Sequence, residues 1–167
     1  MASKIIYAAG GIVVRRGARR RFAVVQRSKD GSWVLPRGKL KRNERPIAGA
    51  RREAVEETGT RVRVREFLGA ISYRVRGRAK LVQFWRMDAA VRPTWEVTRD
   101  IAAIKWLPFA KAVGKLSYPL EKLFLSAVGL RGFQPRRRGL RHKARVRGAK
   151  AKTRQRSTRR SRTIKTK

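Results

Sequence analysis

Apolar and polar residues along the first 130 positions of the chain follow two alternating patterns. Runs rich in Val, Ile, Phe and Tyr, bounded by Gly or charged turns, are typical of β-strands and cover residues 5–15, 21–26, 62–73 and 79–87. A helix is predicted between the second and third runs, because Pro46 suits a first helical position and Gly59 the position after the last. A second helix is predicted over residues 119–128, where apolar residues recur at helical spacing. The pattern predicts a mixed β-sheet with a helix on each side, an α/β/α arrangement.

The final part of the chain has neither pattern. Residues 135–167 contain 16 Lys or Arg and no Asp or Glu, and large apolar residues are nearly absent from them. Such a segment cannot offset its ordering entropy by burial, so we predict a disordered Lys/Arg-rich tail. We therefore expect one folded domain over residues 1–134, followed by the tail.

The net charge of the whole chain is +36, yet 41% of its 167 residues are hydrophobic, which is enough for a core. The first 134 residues hold 30 basic and 10 acidic residues, so the folded part is itself strongly basic. The chain has no Cys and a single His, His142. This excludes a disulfide scaffold, thiolate metal sites and His-rich zinc centres, so any metal must be held by oxygen.

The sequence does not predict a membrane protein. No apolar run approaches the roughly 18 residues that span a bilayer. Residues 5–14 have the length of a signal-peptide core, but they contain Gly10-Gly11 and run into Arg15-Arg16 without a small-residue cleavage site. We therefore expect a strand there, no membrane partner and, with no cysteine present, a cytoplasmic location.

The few acidic residues are concentrated in one place. Four of the seven glutamates, Glu44, Glu53, Glu56 and Glu57, lie within fourteen residues. The last three have offsets of 0, +3 and +4 on the predicted helix, which places their carboxylates on one face. Like charges so arranged repel, so we expect a cationic group among them.

Two kinds of cation could neutralise these glutamates. Arg51 or Arg52 would make the cluster a salt-bridged, solvated helix face. A hard divalent cation, Mg²⁺ or alternatively Mn²⁺, would instead make it a metal site, because such ions prefer carboxylate oxygens.

The spacing of the residues around this cluster resembles a known family. From Gly38 the chain has five residues, Glu44, seven residues, Arg52-Glu53-Ala54, one residue, Glu56-Glu57, one residue, and Gly59-Thr60. This is similar to the Nudix box of the MutT-like Nudix hydrolases, with all seven fixed Gly, Glu and Arg positions present. The resemblance covers roughly residues 4–130. It departs at Ala54 and Thr60, where bulky aliphatics are usual, and at Arg45, where many members have a helix-capping Ser or Thr.

The resemblance implies a Nudix fold, bound divalent metal and hydrolysis of a nucleoside diphosphate linked to another group. Glu53, Glu56 and Glu57 would carry the metal and Glu53 would be the general base. Arg52 would orient the carboxylates through a bidentate pair, and Gly38, or a backbone carbonyl near Arg37, would be a further ligand. Glu44 is either an outer ligand or a carboxylate at the helix start. Glu96 is the first candidate for another metal ligand and Asp100 the second, although both also fit ordinary turn acids near Pro93.

The segment Trp33-Val34-Leu35-Pro36-Arg37-Gly38-Lys39-Leu40 is similar to the approach to the box in Nudix members that hydrolyse dinucleoside polyphosphates, diphosphoinositol polyphosphates or oxidised nucleoside triphosphates. The cations near the expected metal loop favour a long phosphate chain, unless they only share the general basicity. They are Arg37, Lys39, Lys41 and Arg42. An aromatic platform for a base could come from Tyr73, Phe84, Trp85 or Tyr118, of which Tyr118 is the favoured pocket residue.

The tail supports a second hypothesis. Its 16 cations are sufficient for sequence-independent binding of nucleic acid, either as the protein's main function or beside catalysis on a 5′-triphosphorylated RNA end. The alternative is a tail that raises solubility or binds anions nonspecifically.

Overall fold

A computed structural model describes residues 5–17 and 19–132, which contain seven strands and three helices. In chain order these elements are β1 (Ile6–Arg15), β2 (Arg21–Arg27), β3 (Trp33–Val34), β4 (Arg37–Lys39), α1 (Pro46–Thr58), β5 (Val62–Val75), β6 (Arg78–Ala89), β7 (Ile101–Leu107), α2 (Phe109–Lys115) and α3 (Pro119–Gly132). The four predicted strands and both predicted helices are confirmed. The tail lies outside the described residues, so its disorder and the domain boundary at residue 134 stay predictions.

The strands form one mixed sheet whose main path runs β3-β2-β1-β6-β5. β1 is parallel to β6 and antiparallel to β2, while β5 and β6 form an antiparallel hairpin. β1 shares one edge between two partners, because its end pairs with β2 and its start with β4. β2 also pairs antiparallel with β7. β4 therefore lies beside the start of β1, and the site described below includes β4.

Each face of the sheet carries its own core, as the alternation of side chains along a strand requires. Ile12 and Val14 of β1 pack in a cluster with Phe84 and with Leu125 of α3. Val13 of β1 lies in a second cluster, formed with α1 and containing buried residues Ala9, Ala23, Ala50, Ala54, Val62 and Met87. The helices thus cover both faces, with α1 on one side and α2 and α3 on the other, which confirms the predicted layers.

Helix α1 begins and ends where its sequence indicates. Pro46 occupies the first turn, and Gly59 caps the end with a φ of 61° and donates its N–H to the Val55 carbonyl at 2.9 Å. Arg45 at the N-cap makes no side-chain capping hydrogen bond. Ile47, which helical periodicity places with Ala50 and Ala54 on the core stripe, is 42% exposed, while Ala54 is fully buried.

The periodic pattern missed four elements. β3 and β4 have two and three residues, too few to show a strand period. β7 does not alternate cleanly between buried and exposed positions, and α2 has only seven residues. Helices long and apolar enough to cross a bilayer do not occur among residues 5–17 and 19–132.

Candidate active site between strand β4 and helix α1

Two glutamates of α1 reach the short strand β4. The backbone N–H of Arg37 donates to Oε2 of Glu57 at 2.9 Å. The neighbouring Gly38 lies against Glu53, because a Cβ built on Gly38 would be 2.1 Å from the Glu53 carboxyl carbon. Only glycine fits that close approach. β4 and α1 therefore bring two carboxylates to one stretch of backbone.

Arg52 joins the remaining glutamates into a network. Its Nε and Nη2 each donate to one oxygen of Glu44 at 2.8 Å, a bidentate pair. Its Nη1 donates to Oε1 of Glu53 at 2.5 Å and to Oε2 of Glu56 at 3.1 Å. Nη2 also donates to the backbone carbonyl of Lys39 at 3.2 Å. Arg52 thus links the loop before α1 with three of the four clustered glutamates.

Glu44 belongs to this network and does not cap the helix. In addition to its pair with Arg52, it accepts the backbone N–H of Lys41 at 2.9 Å through Oε2. Hydrogen bonding from Arg52 lowers the pKa of Glu44 to about 2, so Glu44 is ionised at neutral pH. Both roles considered for Glu44, outer ligand and carboxylate at the helix start, stay predictions.

Burial raises the pKa of two other glutamates of the cluster, Glu57 and Glu53. It raises the pKa of Glu57 to about 8, against the opposing hydrogen bond from the Arg37 N–H. Burial also raises the pKa of Glu53, although Arg52 opposes the shift. A carboxylate destabilised by burial is ionised more readily when a cation lies beside it.

The donor set fits a hard divalent cation in its chemistry. Glu53, Glu56 and Glu57 offer oxygen only, and the missing side chain at Gly38 leaves the β4 backbone open to the Glu53 carboxylate. Across the described ranges, however, no three His, Cys, Asp or Glu side chains are arranged to hold a metal. In this structure the cation among Glu44, Glu53 and Glu56 is the Arg52 guanidinium. A metal ion held by Glu53, Glu56 and Glu57 would share Glu53 and Glu56 with Arg52.

A cavity of about 780 Å³ lies beside β4. Its wall is formed by the start of β1, by the end of β2, by β4, by the β5–β6 hairpin and by the start of α3. Arg37 and Lys39, which flank Gly38, belong to this wall, whereas Gly38 and the four clustered glutamates do not. Its volume suits a nucleotide-sized ligand.

Cations dominate the wall of this cavity. The β5–β6 hairpin contributes four of them, Arg74, Arg76, Arg78 and Lys80, at every second position. Arg27 and Lys29 add two more from the end of β2, while the acidic lining residues are Asp30 and Glu121. Burial, followed by repulsion from Arg37 and Arg27, lowers the pKa of Lys80 to about 8. The cavity therefore has the charge to bind a polyanion.

The structure places some of the predicted substrate-binding residues in the cavity wall and others outside it. Lys39 and Tyr118 line the cavity, and Tyr118 is 39% exposed. Lys41 and Arg42 lie on the exposed turn before α1 and outside the cavity wall. Arg37 lines the cavity, but its guanidinium is buried and paired with Glu121. Arg37 thus differs from the phosphate-facing cation that its sequence position suggests.

Among the other candidate aromatics, Tyr73 lines the cavity, whereas Phe84 is fully buried in the core. Trp85 packs on Phe67 with ring centroids 5.1 Å apart. An aromatic platform in this cavity is therefore restricted to Tyr73 and Tyr118 among the four residues considered.

The two candidate ligands from the later loop occupy exposed positions. Glu96 is exposed, although its loop is attached to α1 through the bond from Thr98 N–H to the Glu56 carbonyl at 3.1 Å. Asp100 is exposed and its backbone carbonyl accepts the Ser28 N–H at 2.8 Å. The ligand role of Glu96 stays a prediction.

Sequence reasoning missed the hairpin cations and Glu121. The alternation of Arg78 and Lys80 along β6 is a strand signal that places both on one face, with their partners Val75 and Tyr73. Glu121 had a weaker signal, since it is the last acidic residue of the chain and stands in a mostly apolar helix.

Comparison with known proteins identifies the family. A model of the NUDIX domain matches residues 6–125, which include the whole described site. The chain belongs to the Nudix family. The Nudix fold also matches solved structures, among them an Ap4A hydrolase of C. elegans in a binary complex, with a TM-score of 0.68 and 23% identity over 77% of this chain and 99% of that one. A MutT protein of Methanosarcina mazei has a TM-score of 0.66 and 18% identity over 80% and 99% of the two chains.

Two curated relatives are similar to the Nudix domain in sequence. A MutT-like protein of Streptomyces ambofaciens is 36% identical over 97 residues, 58% of this chain and 60% of the relative. An 8-oxo-(d)GTP phosphatase of Mycolicibacterium smegmatis is 32% identical over 103 residues, 62% of this chain and 32% of the relative. The matches thus span less than two thirds of the length of either relative.

Proposed function

We propose that this Nudix protein is a Mg²⁺-dependent pyrophosphohydrolase that cleaves a pyrophosphate bond in a nucleoside polyphosphate-type substrate. The observation that carries the proposal is that strand β4 contributes to both parts of the site. Gly38 lies against Glu53, while its neighbours Arg37 and Lys39 line the cation-rich cavity. A phosphate chain held in the cavity would have to extend past β4 to reach the carboxylates of α1.

The metal would be held by Glu53, Glu56 and Glu57, with Mn²⁺ as the alternative to Mg²⁺. When bound, the metal would neutralise charge on phosphate oxygens and lower the pKa of a water molecule bound to it. Glu53 is the general base that the family resemblance implies; its carboxylate lies against Gly38 and its Oε1 accepts a hydrogen bond from Arg52. Arg52 holds Glu44, Glu53 and Glu56 in fixed relation.

The cavity residues bind and orient the substrate in this proposal. Lys39, Lys80 and the hairpin arginines neutralise the phosphates, and Tyr118 or Tyr73 contacts a base. The charge of the wall favours substrates with several consecutive phosphates over a sugar-linked diphosphate. Dinucleoside polyphosphates and oxidised nucleoside triphosphates meet this requirement, and proteins named for Ap4A and 8-oxo-(d)GTP support them. Diphosphoinositol polyphosphates offer a similar total charge, spread around a ring.

A substrate panel tests the proposal. The full chain is incubated with Mg²⁺ and dinucleoside polyphosphates, oxidised and ordinary nucleoside triphosphates, inositol pyrophosphates, ADP-ribose and 5′-triphosphate RNA, and the products are identified by mass spectrometry. We expect hydrolysis of one of the polyphosphate classes to exceed that of ADP-ribose. Preference for ADP-ribose would contradict the proposed substrate class, and absence of metal-dependent hydrolysis across the panel would contradict the reaction.

A second candidate function is nucleic-acid binding by residues 135–167, which lie outside the described residues. It is favoured by their 16 cations and complete lack of acidic residues. The RNA 5′ end in the panel distinguishes an RNA pyrophosphohydrolase from an enzyme whose tail only retains nucleic acid. The cytoplasmic location expected from the sequence stays a prediction.

A further inference from the structure

Two segments distant in sequence are joined at alternate residues. Trp33 exchanges two bonds with Ser117, since its carbonyl accepts the Ser117 N–H at 2.8 Å and its N–H donates to Ser117 Oγ at 2.9 Å. Leu35 donates its N–H to Oε2 of Glu121 at 2.8 Å. Arg37 donates from Nε to Oε1 of Glu121 at 3.0 Å and from Nη2 to the same oxygen. Ser117, two residues before α3, and Glu121 of α3 therefore bond alternate residues from Trp33 to Arg37.

The contacts that Glu121 makes are buried. Its relative exposure is 2% and that of Arg37 is 8%, and both carboxylate oxygens of Glu121 are engaged. Two buried charges are tolerated only when they pair well, and removing one would leave the other uncompensated. The pair therefore fixes Arg37 to α3 far more tightly than an exposed ion pair would.

The residues that Glu121 holds are also those that meet the clustered carboxylates. The N–H of Arg37 donates to Glu57, and Gly38 lies against Glu53. On the other side, the carbonyl of Pro36 accepts the Gly11 N–H from β1 at 3.0 Å. Residues 35–38 are thus fixed by β1, by α1 and by α3, and Glu121 provides the contacts from α3.

We propose that Glu121 is a positioning residue for the carboxylate site. It acts through Arg37 and Leu35, and sets the backbone of residues 35–38 so that Arg37 N–H reaches Glu57 and Gly38 stays against Glu53. The inference rests on the proposed hydrolase function for its catalytic consequence. Its geometric part concerns the carboxylates alone.

The competing explanation is that the Arg37–Glu121 pair only stabilises the fold. Glu121→Gln keeps an oxygen acceptor but removes the charge that compensates Arg37, so this variant by itself tests both explanations together. Arg37→Met combined with Glu121→Leu removes both buried charges and replaces them with apolar side chains, a change that commonly restores stability. The double variant therefore separates stability from positioning.

The experiment compares the wild type, Glu121→Gln, the double variant and Glu66→Gln in the full chain. Glu66→Gln is the matched control because Glu66 forms a more exposed ion pair with Arg86 outside the cavity wall. Three quantities are measured: the thermal midpoint, kcat and KM for the best panel substrate, and Mn²⁺ affinity without substrate from the free-ion EPR signal. Mn²⁺ is the metal probe.

We expect Glu121→Gln to lose about 10- to 100-fold in kcat and in Mn²⁺ affinity with a much smaller change in KM, as for other residues that orient ligands indirectly. The double variant should recover most of the thermal midpoint and keep both losses, while Glu66→Gln should match the wild type. Recovery of kcat and Mn²⁺ affinity together with stability in the double variant would overturn the inference. Wild-type Mn²⁺ affinity in Glu121→Gln would also overturn it. If the wild type hydrolyses no panel substrate, the proposed function fails, while the Mn²⁺ comparison still decides the role of Glu121.

Discussion

Arg52 binds both oxygens of Glu44, with Nε to Oε1 and Nη2 to Oε2 each at 2.8 Å. The two residues are eight positions apart, and the pair connects the turn before α1 with the middle of the helix. Because the remaining nitrogen of Arg52 donates to Glu53 and Glu56, the pair with Glu44 fixes the guanidinium that holds the other two. The position of the candidate metal-binding carboxylates thus depends on an arginine.

Arg52→Lys is predicted to lower activity without unfolding the domain. Lysine keeps one positive charge but cannot make the planar two-point contact with Glu44 and also reach Glu53 and Glu56. We expect kcat to fall by about 10- to 100-fold, as for other residues that orient metal ligands. Arg51→Lys is the matched control, since Arg51 is the adjacent exposed arginine. Steady-state kinetics and thermal melting measure both variants, and equal kcat values would contradict the role given to Arg52.

Glu56→Gln and Glu57→Gln are predicted to abolish metal-dependent hydrolysis with the fold retained. Both changes preserve shape and remove a charge, and the amide oxygen introduced by Glu57→Gln could still accept the Arg37 N–H. Losing one anionic metal ligand should lower kcat by on the order of 100-fold or more, because the metal stabilises charge in the transition state by several kcal/mol. Circular dichroism checks the fold and product analysis the rate. If both variants turned over polyphosphates at the wild-type rate, the catalytic assignment would be wrong.

Gly38→Ala is predicted to affect the site more than the fold. The added Cβ would be 2.1 Å from Oε2 of Glu53, so the carboxylate or β4 must shift. We expect a loss of roughly 100-fold in kcat, since small displacements of reacting groups have effects of that size. Gly114→Ala in α2 is the control, because a Cβ there meets no atom within 4 Å and alanine favours a helix. kcat and the thermal midpoint are measured for both variants. A wild-type kcat in Gly38→Ala would contradict the prediction.

The parts of the site that could be predicted are those with local causes. Pro46 and Gly59 determine the ends of α1 through their own backbone preferences, and the carboxylates follow from helical spacing. The pair between Arg52 and Glu44 also lies within the box. These features depend on residues fewer than about twenty positions apart, where periodicity and spacing carry information.

The parts that could not be predicted depend on long-range packing. Arg37 has the sequence position of a phosphate-binding cation, but its guanidinium meets Glu121, 84 residues away. The cavity requires the β5–β6 hairpin to lie near β4, an arrangement set by the pairing of β1 with both β4 and β6. No local pattern of polar and apolar residues specifies which strand is inserted beside β1. Ile47 is a smaller example, since helical periodicity places it on the core stripe although it is partly exposed.

Lys80 is predicted to make polyphosphate binding weaken as the pH rises. Burial and neighbouring cations lower its pKa to about 8 in the free protein, so Lys80 is charged below that pH and neutral above it. An anion binds the charged form better, so its dissociation constant should increase by about tenfold between about pH 7 and pH 9.5, the strength of one charge-assisted bond. Tripolyphosphate binding in EDTA, followed by calorimetry, avoids the titration of metal-bound water.

Two variants assign this pH dependence. Lys80→Arg should stay charged over the whole range and bind tripolyphosphate with little change near pH 8, since arginine titrates above about pH 12. Lys80→Met should bind weakly at every pH. Persistence of the wild-type inflection in Lys80→Met would show that another group of the cavity is responsible.

Removal of residues 135–167 is predicted to separate nucleic-acid retention from hydrolysis. The cut lies beyond α3, which ends at Gly132, and it removes 16 cations while leaving every residue of the candidate site. Because polycation binding to nucleic acid releases counterions, the full chain should be retained on single- and double-stranded nucleic acid with a steep salt dependence, and the shortened chain should lose most of it. A full-length chain with the 16 tail cations replaced by Gln is the matched control, since it keeps the length and removes the charge. Filter binding at low and moderate salt, with small-molecule hydrolysis measured beside it, gives both readouts. Retention unchanged in the shortened chain would assign nucleic-acid binding to the basic Nudix domain, and a parallel loss of hydrolysis would mean that the tail contributes to the catalytic function itself.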